Sequence, residues 1–393
     1  MRRAAAAVIL ASALCAGCSR GFFPQMSDIE RFEIIRVIGV DADAKDAGNV
    51  EITLLAGKPE PESGAEQERA GMAYALASES APTALEAINI LNMRADRRQH
   101  LGYIDYYIVG EAAARDGIAK YTDFLMRDHE TRFSSRVHIA RDTSARELMA
   151  LFHSSGENLE DALDNMAETA NVMSNTTPTR VIDMMNMLDD RAAAVLPAIR
   201  PHLESGGDSR FSLIPAGYAV LDGDELTGFI EPEYARGYNF LTNRVKSCPV
   251  SVENARGARA GFEVVSEDTR VSARFDGNGI PTEVKYQTRV RANIAEQHSG
   301  ADIFTPQARR EFSAGISDVV RSEMESVVRR SLELKLDCAR LGESLRMAYP
   351  SKWRKTESRW REIYPSLNIS VEVETEIMRV YSLREPSGYT PAH

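Results

Sequence analysis

The residues most ready for chemistry stand at the start of the chain. A basic opening, Met1-Arg2-Arg3, leads into an uncharged run from Ala4 to Gly17, and Cys15-Ala16-Gly17-Cys18 closes it. Such a run is too short to span a bilayer as a helix, which takes roughly 20 residues. It reads as a secretory signal peptide over residues 1–17. The small pair Ala16-Gly17 lets a peptidase groove close on the backbone before Cys18. The Cys18 thiol is then the nucleophile for a diacylglyceryl group, and the freed amine is open to a further acyl chain such as palmitate. One acyl chain holds a protein marginally, whereas two or more hold it firmly. Cys15 stands where Leu is commonest in this pattern, so a plainly cleaved, secreted chain is the alternative. The spacing Cys15-x-x-Cys18 also matches a redox pair, but its place in a signal peptide argues against that.

Other reactive groups do not converge. The seven histidines (His100, His129, His138, His153, His202, His298, His393) are scattered, with no two at ligand spacing. There is no Gly-x-Ser-x-Gly elbow, no His-Glu-x-x-His helix and no phosphate-cradling glycine loop. Acidic pairs such as Asp189-Asp190 are common on surfaces and single out no glycosidase pair. Asp41 to Asn49 tempts one towards a calcium loop. Lys45 and Ile52 occupy the positions of two required carboxylates, so a hairpin turn is expected there. The reading is therefore of no enzyme, no cofactor and no metal. Net charge is −11, which argues against nucleic acid and against broad adhesion to anionic lipid. After Cys18 only Cys248 and Cys338 remain. The compartment permits a disulfide between them, but two cysteines far apart in sequence are read as two buried thiols, with a bridge as the alternative.

The elements that must position these groups follow from periodicity. Residues 18–30 are a tether carrying Phe22, Phe23 and Pro24. Residues 31–205 are expected to form an N-terminal α/β region, as 31–145 plus a helical part, 146–205. Its strands are read at Ile34–Val40, Val50–Leu55, Tyr103–Val109 and Ser134–Ala140. Its helices are read from Pro82-Thr83 with an apolar face of Leu85, Ile88, Leu91 and Met93, then at Glu111–Met126 and Ser144–Phe152. Residues 58–69 are a polar loop, and 154–203 look less regular apart from a short helix at Thr179–Leu188, whose Met184, Met185 and Met187 either fill core or make an adaptable face. Residues 206–260 form a middle region whose hairpin turns at Asp222-Gly223-Asp224-Glu225. Residues 261–393 are a C-terminal α/β domain: strands flanking Asp276-Gly277-Asn278-Gly279, a helix through Phe312 to Val328, a second from Asp337 to Tyr349 stopped by Pro350, and a long strand from Leu367 to Ile377. The expected fold is multidomain α/β (α+β), with mixed or antiparallel sheets covered by helices. The C-terminal pattern suits an antiparallel sheet.

Three stretches resemble one known family. They are Ile38-Gly39-Val40-Asp41; Ala216-Gly217-Tyr218 through Ile230-Glu231, with Glu233, Ala235-Arg236-Gly237 and Phe240-Leu241; and Gly342, Leu345-Arg346, Tyr349-Pro350, Trp353, Trp360, Ile363-Tyr364-Pro365 and the strand from Val371 to Met378. Tyr107 to Glu111 and Val195-Leu196-Pro197 add weaker support. Together they are similar to the Ger(x)C spore germination lipoproteins, the C subunits of nutrient germinant receptors. Asp337 to Arg340 and Val380-Tyr381 depart from the family pattern. The resemblance implies a lipid-held, non-catalytic α/β protein of three domains at the outer face of the spore inner membrane. It also implies a complex with a transporter-like B subunit and an A subunit. A solute-binding lipoprotein and a cell-wall enzyme are the competing functions.

Trp353 and Trp360, seven apart, would share a face of one helix. They serve either to pin that helix to the sheet or as a partner contact. Lys352, Arg354, Lys355, Arg359 and Arg361 surround them, as a solvated face or as a surface for anionic headgroups or an acidic partner.

Overall fold

In the computed structural model the described residues are 32–56, 75–127, 130–189, 193–204, 211–254, 257–297 and 305–380. The signal peptide, Cys18, the tether and the loop 58–69 lie outside them.

Residues rich in Val, Ile and aromatics make strands buried on both faces when helices cover both sides. That is the situation of β1 (Phe32–Ala42), β5 (Tyr106–Gly110), β6 (Arg136–Ala140) and β7 (Ala194–Leu203), which pair in parallel in that order. On one flank β2 (Val50–Ala56) and β3 (Leu76–Ala81) continue the sheet antiparallel. On the other, β8 (Phe211–Asp222) and β9 (Glu225–Ile230) do the same, and β4 (Arg98–His100) pairs with the start of β1, giving nine strands.

One face is covered by α1 (Ala84–Arg94), α2 (Glu111–Arg115), α3 (Ile118–Arg127) and, after two further helices, α6 (Val181–Asp189), around Ile38, Val40, Tyr107 and Val109. The intervening α4 (Ala145–Ser155) and α5 (Leu159–Met173) cover the other, around Val37, Tyr106 and Ile108. Thr83 caps α1, its hydroxyl accepting from the Glu86 N–H. The buried stripe of α1 is Ala84, Ala87, Ile88 and Leu91, so Leu85 and Met93 point to solvent, contrary to the expected face. The alanines fit closer to the sheet, and they set the helix phase. The expected single helix Glu111–Met126 is broken at Gly117, whose φ of +101° ends α2. The stretch 154–203 is regular, as α5, α6 and β7, so the expected helical part 146–205 ends in a strand.

The expected middle region 206–260 is divided between the sheets. Its hairpin, with the two-residue turn Gly223-Asp224, completes the large sheet. After α7 (Ala235–Leu241), β10 (Cys248–Glu253) opens a four-stranded sheet with β11 (Arg259–Phe275), β12 (Pro281–Gln297) and β13 (Asn368–Val380). Alternating Val284, Tyr286, Thr288, Val290, Ala292 and Ile294 face α8 (Pro306–Leu334), which buries Phe312, Ile316, Val320, Met324 and Val327. The final strand runs parallel to β12, which corrects the antiparallel expectation. The helices between them form a crossover, and a crossover returns the chain in its original direction. Pro350 does not merely stop α9 (Leu341–Ala348): it is the first residue of α10 (Pro350–Thr356), where its missing N–H costs nothing. A continuous core runs from Val195, Tyr218 and Val220 of the large sheet through α7 to the small one.

Candidate functional site

Each of the three family-like stretches, within the described residues, forms a joint. The closing one is built on Asp337, which follows α8. Its buried carboxylate accepts the backbone N–H groups of Leu341 and Gly342, both at 2.7 Å, and so caps α9. It also accepts the Trp360 Nε1–H at 3.0 Å. Burial pushes its pKa up, and these three donors oppose the shift. Trp353 on α10 and Trp360 on α11 (Trp360–Ile363) are separated by the 3₁₀ turn Glu357–Arg359, so they do not share one helix as expected. Their rings still meet edge to face, with centroids 5.1 Å apart. Trp360 is only 8% exposed, and half-buried Trp353 packs on the same core. A Cβ on Gly342 would meet both indoles at 2.7–2.8 Å, which is why glycine stands there. Tyr364 packs on Trp360, and its hydroxyl lies 2.5 Å from Ser331 Oγ. The surrounding cations Lys352, Arg354, Lys355, Arg359 and Arg361 are exposed, with Arg361 paired to Asp222 and Arg359 to Glu362.

Asp41, at the end of β1, forms the second joint. Its carboxylate accepts the N–H groups of Ala145 (2.8 Å) and Arg146 (2.9 Å) at the start of α4. Burial nevertheless raises its pKa from 3.8 to about 6. A Cβ on Gly39 would press on Met149 Sδ at 2.7 Å, and one on Gly110 would fall on the Asp41 carboxylate. The Gly39-Val40-Asp41 step is thus the seat of a helix. The turn at Asp43 to Asn49 is closed by Asp43 N–H to Asn49 O and Asn49 N–H to Asp46 O, as a hairpin turn requires.

The hairpin β8–β9 forms the third joint. The Tyr218 hydroxyl donates to Asn239 Oδ1 (2.8 Å), and Asn239 Nδ2 donates to the Ser174 carbonyl (2.7 Å). Arg236 Nε donates to Glu323 Oε2 at 2.8 Å, and Arg236 Nη1 to the Pro249 carbonyl at 2.7 Å. A Cβ on Gly237 would land on the Glu323 carbonyl in the backbone of α8.

No nucleophile is held against a base in any of these joints. Among the described residues no three His, Cys, Asp or Glu side chains converge as metal ligands would. Cys248 and Cys338 are free and buried, and burial pushes each thiol up to about 12, so both stay protonated and inert. Met184 and Met187 are in the core. A cavity of about 500 Å³ lies between α5 and β8, lined by Phe152, Met166 and Phe211 with Asn158, Asp161 and Asn165. Nothing in the sequence marked it, because its walls come from segments far apart in the chain. Asp337 carried a faint signal, an acidic residue just ahead of an apolar helix. Asp41 stood out only as part of the Ile38-Gly39-Val40-Asp41 stretch; its role as a helix seat could not be read, since its partners lie more than 100 residues away.

His138 on β6 is buried, and desolvation, with Arg136 as second cause, pushes its pKa from 6.5 down to about 3. The unfolded chain takes up a proton between those values that the folded chain refuses. Stability therefore falls as pH drops through that window, by up to about 1.4 kcal/mol per unit. Asp41 acts oppositely: its folded value is raised, so its contribution is present at low pH and is lost as pH rises through about 6. The urea midpoint of the wild-type chain should drop more between pH 7 and 4.5 than that of His138→Leu. Equal pH slopes would show that His138 is not held neutral.

Two family models match the chain, end to end. "Spore germination protein N-terminal domain" covers residues 25–201, and "Spore germination B3/ GerAC like, C-terminal" covers 216–381. YfkR of Bacillus subtilis (strain 168), named as a spore germination protein, is 21% identical over 300 residues, 75% of this chain and 76% of its own. The crystal structure of the GerBC protein superposes with a TM-score of 0.53 at 13% identity, over 87% of this chain and 97% of that one. At that identity the likeness speaks for the fold.

Proposed function

Since the chain belongs to the Ger(x)C family of spore germination proteins, we propose that it is the non-catalytic lipoprotein subunit of a nutrient germinant receptor. On this reading it is held by lipid on Cys18 at the outer face of the spore inner membrane. There it assembles with a transporter-like B subunit and an A subunit. One observation carries the proposal: the three stretches that mark the family are occupied as joints. Asp41 and Asp337 hold helix N-termini, and Gly237 and Gly342 let elements touch. Such a chain presents a shaped, rigid surface to partners. Among the described residues no helix is long and apolar enough to cross a membrane, so attachment is assigned to the lipid and the partners.

The decisive experiment is a pull-down of the tagged protein from detergent-solubilised spore membranes, with mass spectrometry. Recovery of a polytopic transporter-like protein and a second membrane subunit is the expected result; recovery of this chain alone would overturn the assembly. The cavity beside α5 favours a second reading, capture of a small polar solute, which a thermal-shift screen of nutrients would reveal. The anchor has its own test. Cys18→Ala should leave the unfolding transition unchanged and move the protein from the membrane to the soluble fraction when the other subunits are absent. A variant still held by the membrane under those conditions would refute the lipid site.

A further inference from the structure

The described chain begins at Phe32, where β1 pairs in parallel with β4: Phe32 lies beside Arg98 and Ile34 beside His100. Paired residues in a sheet point to the same face, so these four side chains share one surface. The rings of Phe32 and His100 are 5.5 Å apart, and those of His100 and Tyr103 5.4 Å. The Arg132 guanidinium sits 4.6 Å over the Tyr103 ring, and Phe133 follows it. Segment 132–136 is laced to 104–105, since Ser135 Oγ donates to the Ile104 carbonyl and the Arg136 N–H to the Asp105 carbonyl.

The result is a patch at the start of the parallel strands where large apolar side chains stay in solvent: Ile34 is 39% exposed, Tyr103 42% and Phe133 44%. Exposed Arg97, Arg98 and Arg132 rim it. Of the carboxylates nearby, Glu130 is tied to His100 Nδ1 and the Leu101 N–H, Glu33 alternates to the opposite face of β1, and Asp96 sits in the turn before Arg97. In a chain of net charge −11 this is a local surface of aromatic rings and arginines. Amphipathic rings favour the membrane–water interface. Arginines are drawn to the negative surface of an anionic bilayer.

The chain also enters the fold here. Cys18 lies fourteen residues before Phe32, a span of at most about 50 Å, so a lipid on Cys18 keeps this end of the sheet within that reach of the bilayer. We propose that the patch formed by Phe32, Ile34, Tyr103, Phe133, Arg98 and Arg132 is the face laid against the anionic headgroup layer. The proposal rests on the reading of Cys18 as the anchor. It orients the large sheet with the starts of its parallel strands towards the lipid and their ends, at Gly110, Ala140 and Leu203, away from it.

The test uses the mature chain, residues 18–393, coupled through Cys18 to a maleimide-bearing phospholipid in vesicles. Cys248 and Cys338 are buried, so Cys18 is the thiol that reacts. Hydroxyl-radical labelling is read at Tyr103 and Phe133 relative to Met347, which is 69% exposed on α9. On vesicles containing phosphatidylglycerol the ratio should fall about threefold. On phosphatidylcholine alone, and in Arg98→Gln/Arg132→Gln on either vesicle, it should stay near the value of the free protein. An unchanged ratio on the anionic vesicles would overturn the proposal, as would protection of Met347 instead. Equal protection on both vesicles would overturn the anionic assignment. Because coupling supplies the anchor chemically, a negative result refutes the face and not the lipid site, which Cys18→Ala decides separately.

Discussion

Asp337→Ala should abolish cooperative folding of the C-terminal sheet and its helices. The substitution leaves three buried donors without an acceptor: the N–H groups of Leu341 and Gly342 and the Trp360 indole. Each unsatisfied buried donor costs about 1–3 kcal/mol. Together they approach the whole stability of an ordinary domain, about 5–15 kcal/mol. Both tryptophans of the chain are at this joint, so their fluorescence reports it directly during a urea titration. The expected record is red-shifted emission with little or no transition. Asp337→Asn should be intermediate, because its amide oxygen can still accept while its NH₂ meets a donor. A transition for Asp337→Ala within about 1 kcal/mol of wild type would mean that the carboxylate does not hold α9 and Trp360.

Gly237→Ala should be among the most damaging single-methyl changes at the described glycines. The added Cβ would land on the Glu323 carbonyl and lie 2.9 Å from the Met324 nitrogen. Both are backbone of α8, so no flexible side chain can yield. To make room α7 must lift away, and the Arg236–Glu323 pair beneath it separates. Overpacking costs about 1–3 kcal/mol. Separating the part-buried ion pair adds to that cost. Gly223→Ala is the control: its φ is positive (+62°), but open space surrounds it, so the cost should be about 1 kcal/mol. Similar urea midpoints for the two variants would refute the close approach of α7 and α8. Since α7 connects the last strand of the large sheet to the small one, Gly237→Ala should also lose partner recovery in the spore-membrane pull-down.

Much of this architecture was legible because local rules govern it. Gly223 and Gly279 mark turns, Thr83 opens a helix, and the alternation from Val284 to Ile294 announces one buried face. The failures have physical causes. β3 was missed because Leu76-Ala-Ser-Glu-Ser-Ala81 is polar and small, a flank strand with half-buried side chains. The break at Gly117 and the phase of α1 depend on what packs above them. Strand direction in β13 is a property of the whole crossover, which no window of residues contains. The family stretches could be read as landmarks but not as joints, since Asp41 and Gly237 find their partners 104 and 86 residues further on.

The parallel pairing of β13 also sets a timetable. β12 receives its second neighbour only from residues 368–380, after the whole helical crossover has passed. Contacts of such sequence separation form late, because loop closure must precede them. The large sheet can assemble as soon as β9 has emerged, but the small sheet cannot close until nearly the entire chain is present. During that interval β12 presents an open edge of 17 residues, the kind of surface that captures stray strands. Chains cut short before Asn368 would stay permanently at that stage.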